Sequence, residues 1–94
     1  MNKQLDYFLN KLETVDNMTK NELENSIVNI GTEAIPELVN KLQIVRGIQR
    51  GVVAMSLIRI GNESVKYLEQ AAKQNSDFEW IAKYLISEIT GQAA

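Results

Sequence analysis

Lys41, Arg46, Arg50 and Arg59 carry all the charge between Leu38 and Asn62, a stretch without a single Asp or Glu, and arginine occurs nowhere else in the chain. Arg46 and Arg50 are four positions apart. On a helix that spacing puts two guanidinium forks on one face, suited to gripping a carboxylate or a phosphate. The simpler reading is that these cations pair with acidic residues on adjoining helices or solvate a ridge. A nucleic-acid grip wants a larger basic footprint than four residues in a chain of net charge −2.

Trp80 and Tyr84 form the second constellation. They too are four apart, and they point away from the apolar stripe of the same segment, Phe78, Ile81, Ala82, Leu85 and Ile89. Trp and Tyr placed outward suit an interface anchor, because both are enriched where binding energy concentrates. Packing on the preceding helix is the structural alternative. Glu33 and Glu37 make an i, i+4 carboxylate pair that in principle holds a metal or does acid–base work, but a solvated face near a helix N-terminus explains them as well.

Little else can do chemistry. Histidine and cysteine are absent, which removes the commonest general base, the commonest transition-metal ligand and all thiolate chemistry. Ser and Thr fall at turns or on polar faces without a base partner. The five glycines fall singly, so no phosphate-cradling loop is present. The reading is therefore non-enzymatic, with no catalytic residue, no cofactor and no metal.

Those candidate residues have to be positioned by helices. One proline and five glycines in 94 residues leave little punctuation, and no segment sustains a period of two. Leu5, Phe8, Leu9, Leu12 and Val15 trace one helical face. Thr19-Lys20-Asn21-Glu22 has the form of a capping box before a second helix carrying Leu23, Ile27 and Ile30, which Gly31 ends. Thr32 can cap a third helix with Pro36 in its first turn and Ile35, Leu38, Val39 and Leu42 on its buried side. A fourth helix runs from about Gly47 to Ile60. Its residues Ile48, Val52, Val53, Ala54, Met55, Leu57, Ile58 and Ile60 cover most of its circumference, which places it at the centre. Gly51 near its start either leaves room for a neighbouring backbone or marks a frayed helix start. Asn62 can cap a fifth helix with Val65, Leu68, Ala71 and Ala72, and Asn75-Ser76-Asp77 makes the turn into the last one.

An internal repeat organises these helices. Ile30-Gly31-Thr32-Glu33-Ala34-Ile35-Pro36-Glu37-Leu38 recurs as Ile60-Gly61-Asn62-Glu63-Ser64-Val65-Lys66-Tyr67-Leu68, each residue moved by 30 positions. Upstream, Leu23 matches Val53 and Ile27 matches Leu57, and Ile89-Thr90-Gly91 ends a worn third copy. From about residue 19 to residue 91 the pattern resembles the short HEAT-like repeats, especially those of bilin-lyase-like proteins. In that family a first helix of small and aliphatic residues ends in Ile-Gly, and a polar cap, an acidic residue and often a proline open the second. The usual Asp-Pro after the glycine is missing from both copies, and nothing marks a bilin site, so lyase activity is not carried over.

The expected fold is all-α, a short α-solenoid or superhelix of antiparallel helical hairpins with about six helices. It occupies one domain over residues 1–94, with a leading helix at about 3–15, repeats at about 19–45 and 47–74, and a closing helix at about 77–90. The expected function is a protein–protein interaction module, an adaptor, scaffold or regulatory subunit, with Trp80, Tyr84, Arg46, Arg50 and Arg59 as candidate partner-binding residues. The alternatives are nucleic-acid or phosphate-ligand binding through Lys41, Arg46, Arg50 and Arg59, and a homo-oligomeric structural protein with Trp80 and Tyr84 buried between copies. Neither a secretory apolar core near Met1 nor a membrane-spanning run is present, so a cytoplasmic protein without membrane contact is expected.

Overall fold

The apolar stripes become helices α1 (Lys3–Lys11), α2 (Asn17–Ile30), α3 (Ile35–Leu42), α4 (Gly47–Ile60), α5 (Val65–Gln74) and α6 (Glu79–Thr90). The computed structural model describes residues 3–12 and 16–91, and among these there is no strand. Val15, expected to extend the first stripe, lies outside the described residues. The radius of gyration is 12.6 Å, close to the ~12 Å of a packed domain of this length, so the helices share one body.

Each helix buries the face its spacing marked. Leu5, Leu9 and Leu12 go in from the first segment, Leu23 and Ile27 from α2, and Ile35, Leu38, Val39 and Leu42 from α3. Val52, Val53 and Leu57 come from α4, Leu68 and Ala71 from α5, and Phe78, Ala82 and Leu85 from the turn before α6 and from α6 itself. At about 1.5–3 kcal/mol for each large side chain taken out of water, this one cluster is the main force holding the helices together.

Helix α4 packs against α2, α3 and α6, and α5 packs against α3 and α6. It is thus central, as its composition suggested, but its circumference is not wholly covered. Ile48 and Met55, two turns apart, remain 53% and 45% exposed on an outer face. Gly51 lies on the exposed side too. A Cβ there would meet nothing within 4 Å, so no backbone uses the space. Helix α1 lies against α2 and is tied to the rest by the Lys41–Asp6 ion pair at 2.9 Å. Gln49 Nε2 also donates at 2.8 Å to the Leu9 carbonyl near the end of α1, which accepts from the Leu12 N–H as well at 3.2 Å.

The chain corners differ from the expected capping scheme in an instructive way. The N-cap of α2 is Asp16 rather than Thr19: its Oδ1 accepts from the Thr19 N–H at 2.8 Å, and the helix starts at Asn17. Thr32 and Asn62 cap nothing with their side chains. Each follows a glycine into a short 3₁₀ turn, Gly31–Ala34 or Asn62–Ser64, which leads into α3 or α5. The tighter turn absorbs the direction change, so the side-chain cap is not used. Gly31 sits at φ 84°, ψ −155° and Gly61 at φ 96°, ψ −146°, a region that is essentially glycine-only. The two copies of Ile-Gly therefore make the same backbone corner, and Ile35 and Val65 open the following helices 30 positions apart. Gly91, at φ 74°, ψ 13°, instead ends α6 in the ordinary left-handed cap.

Candidate partner-binding surface

Helix α6 turns one side fully to solvent. Burial of Phe78, Ala82 and Leu85 fixes its rotation, and that leaves Trp80 70% and Tyr84 58% exposed on consecutive turns. The Glu79–Lys83 pair at 3.3 Å runs beside them. An indole with this much surface in water is not packed on α5. The outward pointing that the spacing indicated is the observed arrangement.

The positive stretch divides in two. Lys41 pairs with Asp6 at 2.9 Å, and Arg59 donates from Nη1 to Glu24 Oε2 at 2.9 Å and to Asn25 Oδ1 at 2.8 Å. Arg59 thus joins α4 to α2. Arg46 and Arg50 do not share a helix face: Arg46 precedes α4 in extended backbone at φ −135°, ψ 170°. Its Nη1 donates to the carbonyls of Ile44 at 3.2 Å and Val45 at 2.9 Å, so the side chain curls back and braces the α3–α4 turn.

The same fold brings Arg46 and Arg50 together by another route. Both line an open cleft of about 230 Å³ with Gln43, Asn75, Asp77, Phe78 and Ile81, where the start of α4 meets the turn into α6. A chain of amides sets one wall. Gln43 Nε2 donates to the Val39 carbonyl at 3.3 Å, Asn75 Nδ2 donates to Gln43 Oε1 at 3.2 Å, and the Asp77 N–H donates to Asn75 Oδ1 at 3.2 Å. Phe78, buried, and Ile81, half-buried, supply the apolar side. Arg50 is half-buried and engages no hydrogen bond or ion pair among the described residues.

The cleft and the aromatic side of α6 adjoin. Ile81 lies in the cleft wall, and Tyr84 follows it by three positions on the same helix, so the two side chains are surface neighbours. Sequence spacing gave no sign of Gln43 as a wall or of Ile81 as a bridge. Gln43 is an isolated amide past the end of α3, and Ile81 reads as one more core residue. A smaller groove of about 130 Å³ runs between α3 and α5, with Asn40, Gln43, Gln70 and Gln74 as its polar lining.

Glu33 is exposed and Glu37 half-buried, and no group of three or more metal-ligating side chains forms among the described residues. No helix among them is long and apolar enough to cross a membrane. Comparison with known proteins finds no matching family model, and no curated protein and no solved structure is significantly similar to the chain.

Proposed function

We propose that the protein is a non-catalytic protein-binding module, an adaptor, scaffold or regulatory subunit, whose partner docks on the outer side of α6. The observation that carries this reading is the exposure of Trp80 and Tyr84, 70% and 58%, on one helix whose other side is firmly held in the core. A rigid helix presenting two large amphipathic rings loses little conformational entropy on binding, which is why such residues recur as interface anchors.

The architecture supports the reading by analogy. Helices α2, α4 and α6 are successive neighbours, α3 and α5 are neighbours, and the Gly31 and Gly61 corners repeat. We take this as a short stack of antiparallel helical hairpins of HEAT-like type, in which α6 packs on α4 and α5. Stacked hairpins of this kind offer extended surfaces for other chains. Binding along a nucleic-acid backbone is the weaker reading, because within the Lys41, Arg46, Arg50 and Arg59 stretch Lys41 and Arg59 already have carboxylate partners, which leaves Arg46 and Arg50 of that stretch to meet phosphates.

Affinity capture from the native cell extract tests it, run side by side with wild type and a Trp80→Ala, Tyr84→Ala variant of matched thermal stability. The reading requires a protein retained by wild type and lost by the variant. Identical captures, or none, overturn it.

A further inference from the structure

We propose that the cleft between the start of α4 and the turn into α6 takes a carboxylate from an acidic segment of a protein partner, with Arg50 as the anchoring fork. This deepens the protein-binding reading and rests on it. Lys41 and Arg59 both have a carboxylate in the fold, whereas Arg50 has none and yet is half-buried. A guanidinium carries five N–H donors in a planar fork that matches a carboxylate. Arg50 lines a cleft of about 230 Å³ together with the buried Phe78 and the half-buried Ile81, which set apolar surface next to its charge. Arg46, held at the rim by the Ile44 and Val45 carbonyls, adds positive potential without having to be ordered on binding.

The rest of the lining selects the occupant. Asp77 shares the rim and opposes a doubly charged phosphate more than a singly charged carboxylate. The amides of Gln43 and Asn75 are tied to each other and to the backbone, so they shape the wall and leave recognition to the arginines. Ile81 leads directly to Tyr84, so apolar residues flanking the acid reach the aromatic side of α6.

Arginine side-chain NMR tests this, because the chain holds only Arg46, Arg50 and Arg59 and each gives one Nε–Hε signal. The probe is a short acetylated peptide of alternating Glu and Leu at low salt, with inorganic phosphate as the parallel titrant. The expected result is a saturable shift of the Arg50 signal with peptide, a stationary Arg59 signal, and little response to phosphate at the same concentration. Arg50→Gln is expected to weaken peptide binding about tenfold or more, with an unchanged circular dichroism spectrum. No Arg50 response to the peptide, a stronger response to phosphate, or an Arg50→Gln variant that binds as wild type each overturns the proposal. A partner captured by Arg50→Gln but lost by Trp80→Ala, Tyr84→Ala sinks the carboxylate site alone and leaves the protein-binding reading intact.

Discussion

Gly31 and Gly61 hold the backbone at nearly the same pair of angles, φ 84°, ψ −155° and φ 96°, ψ −146°, although nothing crowds either residue. Glycine is needed there for the torsion and not for space. Any L side chain at either corner is forced toward a region where only glycine is comfortable. Gly51 is the opposite case, an exposed glycine inside α4 with ordinary helical φ and open room for a Cβ.

Substitution by alanine should therefore have opposite signs. Gly31→Ala and Gly61→Ala are expected to cost about 1–3 kcal/mol each. Gly51→Ala is expected to stabilise by about 0.5–1 kcal/mol, because it improves helix propensity and restricts the unfolded chain. Urea unfolding of the three variants checks this, and a Gly61→Ala variant as stable as wild type contradicts the corner argument.

A buried hydroxyl offers a sharper test of packing. Ser56 is fully buried in α4, and its Oγ takes no hydrogen-bond partner, while Ser64 Oγ donates to the Leu57 carbonyl at 3.1 Å. Ser56→Ala removes an unsatisfied polar group and should raise stability by about 1 kcal/mol. Ser64→Ala breaks a made bond and should lower it by about 1 kcal/mol. Thermal melts of the two variants must move in opposite directions.

On α6, Phe78 and Trp80 separate stability from surface. Phe78 is 3% exposed, so Phe78→Ala should cost about 3–5 kcal/mol. Trp80→Ala should change stability by no more than about 0.5 kcal/mol, as for other exposed positions. A large loss with Trp80→Ala means the indole is part of the fold and removes the reason for assigning it to binding.

The Asp16 carboxylate is held below its usual pKa by hydrogen bonds from the Thr19 backbone and side chain. A carboxyl group with a depressed folded-state pKa adds stability above its unfolded value and loses it as pH falls through the folded one. Wild type should therefore lose stability below the ordinary carboxylate range more steeply than Asp16→Asn does. Parallel stability–pH curves for the two proteins contradict the cap.

Much of this fold was legible because helix spacing and the repeat use the same residues. Leu23, Ile27, Leu38, Val53, Leu57 and Leu68 were marked for burial by position, and all are buried. Caps were less legible, since Thr19-Lys20-Asn21-Glu22 offers a plausible box, yet Asp16 three residues earlier makes the bond. Thr32 and Asn62 went unused because a glycine-led 3₁₀ turn does the work of the cap, which a residue pattern does not reveal. At the surface, the exposure of Trp80 and Tyr84 followed from the opposite stripe on the same helix. The arginines did not sort themselves by spacing. Which cation of that stretch stays unpaired depends on carboxylates elsewhere in the chain, Glu24 for Arg59 and Asp6 for Lys41, that only the folded contacts bring near.

Whether the outer side of α6 meets another polypeptide is tested most simply by photo-crosslinking in the native cell. A benzophenone amino acid replaces Tyr84 in one sample and Glu69, an exposed residue on α5, in the control. A discrete heavier adduct is expected from position 84 and none from position 69, with its mass telling a second 10.6 kDa copy from a different protein. No adduct from position 84, or the same adducts from both positions, contradicts it.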